Sequence, residues 1–454
     1  MNPVFFVALV AGKLCALLIR ILAPRRGTNI PGLIAVKIDK KFLTRVQGID
    51  PAKTIFITGT NGKSTSTNLV VHTLKSAGLS VCSNLEGANM QPGVATALLG
   101  ATTLGGRFTK DYLVLEIDER SLGLVCADLK PGHLCVMNIQ KDQVQRNGEP
   151  DYIFQKIRTV VSSLSNLSIY LNNDEPRSLA LADSWREGLK VVTFSVAKNS
   201  RSSVMEADWG VTMPCPRCHD ALEFSHMTIA GMGSFHCVSC GFRSGSAATV
   251  IDSVDYATST FTSESVSYHL AYQAAFFVYS CSLCLCLAAE LGVDTDKVVK
   301  ALESFENIGG RMESFTYSGK EIFYVRIKQE NPETLQSAFD TMAEDSHTKV
   351  VSLGPDIVSD FVPHYSNTFY TFDCNLEPLI SSGVERWVCF GGVTAWDTAN
   401  RLRYAGVPDD RIVIVDSDDT QQILDALVAC KTDKVHLITW MKMYTDLKER
   451  AHER

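Results

Sequence analysis

A strand, a glycine-containing loop and a helix near residue 60 constrain the fold of this chain more than any other feature of its sequence. Residues 54–58 predict a buried strand, and residues 64–76 predict the helix that follows it. The connection comprises Gly59, Thr60, Asn61, Gly62, Lys63, Ser64 and Thr65. Glycines let backbone N–H groups approach phosphates, and the helix N-terminus adds positive potential. The loop therefore predicts a nucleotide-binding site in an α/β protein.

Lys63 and Ser64 carry the chemistry expected of such a loop. The lysine reaches the β- and γ-phosphates, and the hydroxyl that follows it can ligate Mg²⁺. In the common motif G-x-x-x-x-G-K-[ST] the first glycine would fall at Ile57, whereas this chain has Gly59 two positions later. An ordinary strand-to-helix turn is the alternative. The preceding strand and the Lys-Ser-Thr ending favour the nucleotide site.

Length and composition indicate a folded protein of several domains. The chain has 454 residues, of which 45% are apolar and 20% are charged, and its formal charge is −7. This acidic balance makes nucleic acid an unsuitable partner for the surface as a whole. We expect an N-terminal helical segment over residues 1–45, a central nucleotide-binding domain over 46–312 and a C-terminal α/β domain over 313–454.

Alternating apolar runs and helical patterns predict parallel sheets covered by helices in both larger domains. In the central domain, further strands are predicted at 112–117, 134–139 and 169–172, and a long helix at 265–291. In the C-terminal domain, strands are predicted at 322–327, 349–353, 386–390, 411–415 and 434–439. Residues 204–245, rich in Cys, Gly and Ser, fit neither pattern and predict an insertion within the central domain.

The N-terminal segment 4–22 is apolar, but Lys13 and Arg20 interrupt it. The uninterrupted run is therefore shorter than the roughly 20 residues that span a bilayer. The segment has neither the basic start nor the small-residue cleavage site of a signal peptide. The two cations lie seven positions apart and share one face of a helix. We expect an amphipathic helix that docks on the protein core, with contact to a membrane surface as the alternative.

Two CxxC pairs are the strongest pattern among the 14 cysteines. Cys215 and Cys218 form the first pair, and Cys237 and Cys240 form the second. Four thiolates presented by two tight turns complete a tetrahedral Zn²⁺ site, which is structural because no coordination position stays open. Four buried or redox-active thiols are the alternative. The other cysteines, including those at 281, 284 and 286, are expected to be ordinary thiols in a reducing cytoplasm.

The loop sequence TGTNGKST resembles the ATP loop of the Mur ligase superfamily. Other segments resemble its MurT-type members, the ligase-like subunits of lipid II isoglutaminyl synthases: NLEGANMQPGVAT at 84–96, LEIDE at 115–119, NIQKDQVQRNGE at 138–149, LNNDEP at 171–176, GRME at 310–313 and RYAGV at 403–407. The resemblance covers nearly the whole chain. It implies a Mur-ligase-like central P-loop domain with an inserted four-cysteine zinc ribbon, followed by a Rossmann-like α/β domain.

The resemblance also implies roles for individual residues. Glu116 matches the glutamate that holds Mg²⁺ in Mur ligases, and a strand-end carboxylate in solvent is the alternative. Arg311 matches a hinge arginine that contacts the nucleotide, and an ion pair between domains is the alternative. Leu270 and Gln273 depart from the asparagine pair that the superfamily places beside adenine.

The C-terminal domain departs from the MurT-type pattern. Members normally carry a stretch resembling NDNxADGxDVSWxWDxxFE, in which one aspartate completes the Cys-His pair of a separate class I glutaminase. Here residues 354–373 are GPDIVSDFVPHYSNTFYTFD. Asp360 is the carboxylate candidate for that role and Asn367 is the alternative, while an ordinary loop residue is the remaining interpretation of either.

The resemblance implies an ATP-dependent carbon–nitrogen ligase that uses Mg²⁺. The implied reaction converts the α-carboxylate of D-glutamate in the lipid II stem peptide to the amide of D-isoglutamine, with ammonia from the partner glutaminase, in peptidoglycan synthesis. We accordingly expect a heterodimer in the cytoplasm, at the inner face of the membrane. Two alternatives stay open: a stand-alone Mur-like amino-acid ligase, and a degenerate scaffold that only binds nucleotide.

Overall fold

The structure is a computed structural model. It describes residues 2–22, 29–84, 88–142, 144, 148–202, 213–306, 312–325, 331–345, 347–354 and 370–453. The chain divides into two compact units, Met1–Gln140 with Val144–Glu306, and Lys141–Gln143 with Asn307–Arg454. Each unit contains its own mainly parallel sheet, so the predicted α/β architecture is confirmed.

Seven strands of the first unit form a parallel sheet at the centre of that unit. The strands of the unit are β1 (Thr54–Thr58), β2 (Val81–Ser83), β3 (Tyr112–Glu116), β4 (His133–Val136), β5 (Leu167–Asn172), β6 (Leu189–Val196), β7 (Leu222–Ile229), β8 (Met232–Cys237), β9 (Thr249–Ile251), β10 (Ser253–Asp255), β11 (Thr260–Ser263) and β12 (Val266–His269). The central sheet has the order β2-β3-β1-β4-β5-β6-β9, and every neighbouring pair in it is parallel. Strands β7 and β8 form an antiparallel hairpin, and β10 to β12 form a small antiparallel sheet.

Helices cover both faces of this sheet, because its central strands are apolar on both sides. They are α1 (Pro3–Leu22), α2 (Ile30–Ile38), α3 (Phe42–Arg45), α4 (Lys63–Ser76), α5 (Gln91–Ala101), α6 (Leu122–Asp128), α7 (Pro150–Ser163), α8 (Pro176–Ala180), α9 (Ala275–Glu290) and α10 (Thr295–Glu303). All five residues of β1 are buried. Phe56 belongs to the hydrophobic cluster under α1 and α5, whereas Ile55 and Ile57 belong to the cluster under α4 and α9. This alternation is the two-residue period of a strand.

The helix predicted over 265–291 is wrong at its N-terminal end. Residues Val266–His269 form β12, which pairs with β11, and the helix begins only at Ala275. Glu264 and Ser265 adopt left-handed backbone angles, with φ of 48° and 66°, and they make the turn between the two strands. An apolar run has the same composition in a buried strand and in a buried helix, so hydropathy alone could not locate the boundary.

The second unit has a six-stranded sheet of order β13-β14-β18-β15-β16-β17. Its strands are β13 (Met312–Tyr317), β14 (Lys320–Val325), β15 (Lys349–Leu353), β16 (Val384–Phe390), β17 (Ile412–Val415) and β18 (Lys434–Ile438). Only the β13–β14 hairpin is antiparallel among the described pairs. The helices with a full α-helical turn are α11 (Pro332–Glu344), α12 (Glu377–Ser381), α13 (Val393–Tyr404), α14 (Thr420–Val428) and α15 (Met441–His452).

Within the described part of the chain, α1 is the one helix that is long and apolar enough to cross a membrane, judged by length and composition. One side of it is nevertheless packed into the first unit. Phe5, Ala8, Leu9 and Gly12 are buried. The burial of these four residues agrees with the prediction that the helix docks on the core.

Candidate functional site

Three neighbouring strands of the first sheet end in polar residues at the same edge. Strand β1 ends at Thr58 and leads into the loop 59–62, β3 ends at Glu116, and Asn138 lies two residues beyond β4. The order of the strands reverses at β1, which lies between β3 and β4. Open α/β sheets bind ligands at the carboxyl ends of their strands at such a reversal. The sheet topology therefore places the predicted nucleotide loop where a ligand site is expected.

Two positions in the loop require glycine. Gly59 has φ of 129°, and a Cβ atom there would lie 2.9 Å from the carbonyl oxygen and 3.0 Å from the nitrogen of Asn138. Gly62 has φ of 81° and is the N-cap residue of α4. Both backbone conformations are rare for residues with a Cβ atom. The loop conformation is thus tied to the glycine pattern from which the nucleotide site was predicted.

Thr60 and Asn61 attach the loop to the segment that follows β4. The amide nitrogen of Thr60 donates to Asn138 O at 2.9 Å, and that of Asn61 donates to Asn138 Oδ1 at 2.7 Å. Asn61 Nδ2 also donates to Gln140 Oε1 at 2.9 Å. Both side chains are buried. They fix the loop, and Asn138 and Gln140 are positioning residues that the sequence interpretation did not single out.

Lys63, the first residue of α4, lies folded back over the loop. Its Nζ donates to the carbonyl oxygens of Gly59 and Thr60, the latter at 3.0 Å, and to both carboxylate oxygens of Glu119 at 3.2 and 3.3 Å. The Lys63 and Glu119 side chains are only 7% and 12% exposed. The ammonium group is therefore held at the mouth of the loop by a carboxylate that the sequence interpretation had not distinguished from its neighbours.

Glu116 lies beside this pair and is buried, with 3% of its surface exposed. Its Oε1 accepts a hydrogen bond from Asn89 Nδ2 at 3.0 Å, and Asn84 bonds to both its backbone nitrogen and its carbonyl oxygen. These contacts place Glu116 in a fixed, protected position and argue against a strand end in open solvent. Asp118 instead forms an ion pair with Arg120, its Oδ1 lying 3.0 Å from the guanidinium Nε.

The remaining predicted residues of the nucleotide site differ in how far they can be placed. Ser64 is exposed on the first turn of α4, and Thr65 is partly exposed next to it. Arg311, Asp360 and Asn367 lie outside the described residues. The structure thus brings the loop, Ser64, Glu116 and Glu119 to one edge of the sheet. Buried carboxylate and exposed hydroxyl oxygens at that edge are suitable Mg²⁺ ligands.

The four cysteines of the two CxxC pairs meet at one point. Cys215 Sγ lies 3.7 Å from Cys240 Sγ, and Cys218 Sγ lies 3.4 Å from Cys237 Sγ. All four sulfur atoms lie within 4.8 Å of one another. A tetrahedral zinc site with Zn–S bonds of about 2.3 Å has sulfur–sulfur separations of about 3.8 Å. The residues therefore fit a structural Zn²⁺ ion.

Backbone amides donate to the sulfur atoms of Cys215, Cys218 and Cys237, although burial still raises the pKa of Cys215, and hydrogen bonds with the other cysteines help to raise that of Cys218. The amide of Cys240 donates to the Cys237 sulfur and lowers the pKa of that thiol to about 7. Gly241, with φ of 73°, completes the turn after the second pair. Cys215 and Cys237 are buried, Cys218 is partly exposed and Cys240 is exposed, so the cluster borders solvent on one side.

The cysteine cluster lies at the base of the β7–β8 hairpin, which contacts the rest of the first unit. Arg217 forms a two-pronged ion pair with Asp183, at 2.6 and 2.8 Å, and its guanidinium lies 4.1 Å from the centre of the Phe242 ring. Gly233 N donates to Asp174 O at 2.8 Å. By contrast, the cysteines at 281, 284 and 286 are buried in α9, as expected for core thiols.

Comparison with known proteins agrees with this arrangement. The Mur ligase middle domain family matches residues 57–234, and the MurT ligase C-terminal family matches residues 329–447. The MurT subunit of the glutamine-hydrolysing lipid II isoglutaminyl synthase of Streptococcus pneumoniae is 26% identical over 405 residues, which cover 88% of this chain and 87% of that protein. The protein with the same description from Staphylococcus aureus strain COL is 27% identical over 387 residues, 84% of each chain.

Solved structures show the same fold. A pseudomurein peptide ligase type C from Methanothermus fervidus superposes with a TM-score of 0.62 at 18% identity, covering 91% of this chain and 80% of the other. A MurF ligase from Thermotoga maritima in complex with ADP gives 0.57 at 16% identity, covering 92% and 84%. Two family models match the chain, the MurT subunits align over 84–88% of it, and the fold is shared. Together these findings identify the chain as a MurT-type member of the Mur ligase superfamily.

Proposed function

We propose that this chain is the ATP-dependent, amide-forming subunit of a lipid II isoglutaminyl synthase. The observation that carries the proposal is the likeness to MurT subunits over 84–88% of the chain, together with the family matches at 57–234, which include the nucleotide loop, and at 329–447 in the C-terminal domain. A stand-alone amino-acid ligase would need no MurT-type C-terminal domain. The intact loop lysine and the buried Glu116 also oppose a scaffold without activity.

The proposed chemistry uses the loop for phosphoryl transfer. An oxygen of the D-glutamate α-carboxylate attacks the γ-phosphorus of ATP, the bond from that phosphorus to the β–γ bridging oxygen breaks, and ADP leaves. Ammonia then attacks the acyl carbon, the carbon–oxygen bond to phosphate breaks, and the nitrogen loses a proton to give the amide. Such a reaction depends on positioning and on neutralisation of the phosphate charge more than on a protein nucleophile.

Each residue at the sheet edge has a proposed part in that reaction. Backbone N–H groups of Gly62, Lys63 and Ser64 bind the phosphates at the N-terminus of α4. Lys63 exchanges its ion pair with Glu119 for the γ-phosphate and stabilises the negative charge of the transition state. Glu116 and the Ser64 hydroxyl would hold Mg²⁺, which when bound neutralises phosphate charge. Arg311 is proposed to contact the nucleotide.

The four-cysteine site and the C-terminal domain have proposed structural and partner roles. Zn²⁺ bound by Cys215, Cys218, Cys237 and Cys240 would hold the base of the β7–β8 hairpin together and take no part in the reaction. A class I glutaminase would bind the C-terminal domain and supply ammonia. Asp360, with Asn367 as the alternative, is proposed to orient the histidine of that partner, since an acid beside the histidine keeps the imidazole in the correct tautomer.

The proposal is tested by supplying ammonia directly. Purified chain with ATP, Mg²⁺, ammonium and a D-glutamate-containing lipid II substrate in detergent is expected to give the amidated product. Lys63→Ala is expected to reduce the rate at least about 100-fold, the typical cost of removing a group that stabilises transition-state charge. Lys75→Ala, at the exposed last turn of the same helix, is the matched control and should retain activity. Formation of product by Lys63→Ala at the wild-type rate would contradict the proposal.

A further inference from the structure

The N-terminal helices expose an unusual amount of apolar surface. Of the 21 large apolar side chains that are exposed in the described residues, eleven lie in α1 and α2. On α1 they are Val4, Phe6, Val7, Leu14, Leu17, Leu18, Ile21 and Leu22, and on α2 they are Ile30, Leu33 and Ile38. Isolated exposed apolar residues need no explanation, but a contiguous patch of this kind marks a surface that contacts a partner or a membrane.

The exposed and buried residues of α1 lie on opposite sides of the helix. At 3.6 residues per turn, Phe5, Leu9 and Gly12 share one side, whereas Leu14, Leu18 and Ile21 share the other. Within the described part of the chain, this helix face therefore has no packing partner. It is not the exterior of a frayed terminus, because the other face belongs to the hydrophobic core of the first unit.

The same packing opposes an upright helix that spans the bilayer. A Cβ atom on Gly12 would lie 2.6 Å from Leu99 Cδ1, and one on Gly32 would lie 1.9 Å from Pro92 O, so α1 and α2 rest directly on α5. Lys13 Nζ donates to Leu99 O at 2.6 Å and adds a polar anchor. Crossing a bilayer would require the helix to detach from these contacts and expose the core residues beneath it.

The charge of this segment differs in sign from that of the whole chain. Residues 1–38 contain the cations Lys13, Arg20, Arg25, Arg26 and Lys37 and no aspartate or glutamate, while the whole chain has a formal charge of −7. Arg20 and Lys37 are exposed beside the apolar face. An apolar helix face with basic residues beside it is the pattern of helices that lie in the plane of a membrane rich in anionic lipid.

We propose that the exposed faces of α1 and α2 dock this chain on the surface of an anionic lipid bilayer. Leu14, Leu18 and Ile21 would enter the boundary between headgroups and acyl chains, and Arg20 and Lys37 would contact lipid phosphates. The inference deepens the proposed function, because a substrate with a lipid anchor is confined to that surface. Docking there would restrict the search of the enzyme for its substrate to two dimensions.

The test is co-sedimentation of the full chain with vesicles of phosphatidylcholine, with or without about one third phosphatidylglycerol. We expect binding to the anionic vesicles that weakens as salt is raised. The triple variant Leu14→Gln, Leu18→Gln and Ile21→Gln is expected to lose roughly 100-fold in vesicle partitioning, since each buried aliphatic side chain contributes to insertion. Equal binding of wild type to neutral and anionic vesicles, or undiminished binding of the triple variant, would overturn the proposal.

A matched control triple, Leu104→Gln, Leu124→Gln and Trp185→Gln, removes equally exposed apolar groups elsewhere on the first unit and should bind vesicles as wild type does. Both triples should keep the circular dichroism spectrum and the Lys63-dependent reaction on detergent-solubilised substrate. That reaction separates the two proposals: product without vesicle binding overturns the docking alone, and vesicle binding without product overturns the function alone.

Other occupants of the surface give distinct results. If the wild-type chain forms a dimer and the α1 triple variant is a monomer, the patch binds a second copy of the chain and the membrane proposal is overturned. Loss of glutaminase binding in the same variant would assign it to that subunit, with the same consequence. If detergent releases the wild-type chain from vesicles but high salt with alkaline carbonate does not, α1 spans the bilayer and the docking proposal is overturned.

Discussion

Removal of a single cysteine ligand should release the metal and loosen the β7–β8 hairpin. The four sulfur atoms already lie within 4.8 Å of one another, so each needs to move by about 1 Å or less to reach tetrahedral Zn²⁺ geometry. We therefore expect close to one Zn²⁺ per chain in protein purified without chelator. Cys237→Ser is expected to reduce this to near zero, because three thiolates leave the site open and a serine hydroxyl is a poor ligand.

The structural cost follows from what the hairpin buries. Leu222, Phe235 and Phe242 are 4%, 2% and 3% exposed, and the burial of each contributes about 1.5–3 kcal/mol. Without the metal, the packing of these side chains on the hydrophobic cluster of the first unit remains, but the two-stranded ribbon loses the link at its base and is marginally stable by itself. The hairpin should therefore become sensitive to proteases while the parallel sheet of the first unit stays folded.

The assay combines metal analysis by mass spectrometry with limited proteolysis and mapping of the cleavage sites. Cys430→Ser is the matched control, because Cys430 is a partly exposed thiol outside the cluster whose Sγ donates to carbonyl oxygens that a serine can also reach. It should keep the full zinc content. A zinc content unchanged in Cys237→Ser, or no zinc in freshly purified wild-type protein, would refute the assignment of the cluster to a metal.

Three further outcomes follow from the structure. Gly59→Ala should abolish nucleotide binding measured by calorimetry while leaving the chain folded, because the new methyl group meets the Asn138 backbone at 2.9–3.0 Å in a left-handed conformation; unaltered binding would contradict this. Glu119→Gln should tighten ATP binding roughly 10-fold, because Lys63 no longer has to break an ion pair with a carboxylate before it binds phosphate. Weaker ATP binding by this variant would show that Glu119 itself supports the nucleotide. Burial lowers the pKa of His436 to about 4, so the unfolded chain takes up a proton below pH 6.5 that the folded chain resists. Wild type should accordingly lose up to about 3 kcal/mol of stability relative to His436→Phe between pH 7 and pH 4 in denaturant titrations, and parallel profiles would contradict the reasoning.

Local sequence patterns predicted the features that depend on adjacent residues. The strand at 54–58 and the glycines at 59 and 62 could be located because positive φ and close backbone approach restrict residue type. The cysteine pairs could be grouped because each presents two ligands from one turn. In both cases the physical constraint acts within a few positions of the chain.

Features that depend on distant contacts were not predictable in the same way. Glu119 is 56 positions from Lys63, and Asn138 is 77 positions from Asn61, so nothing local marks either as a partner. Asp118 and Glu119 look equivalent in sequence, and only folding separates Asp118, which pairs with Arg120, from Glu119, which pairs with Lys63. The exposed face of α1 likewise became apparent only when the opposite face was found in the core.

The most direct test of the account uses the complete complex. The chain and its glutaminase would be incubated with lipid II, ATP, Mg²⁺ and glutamine labelled with ¹⁵N at the side-chain amide, and the stem peptide would be sequenced by mass spectrometry. The account predicts one ¹⁵N in the α-amide of D-isoglutamine, ADP formed in equal amount, and neither product with Lys63→Ala. ATP-dependent joining of intact glutamine or another amino acid to the stem, with no labelled amide, would contradict it.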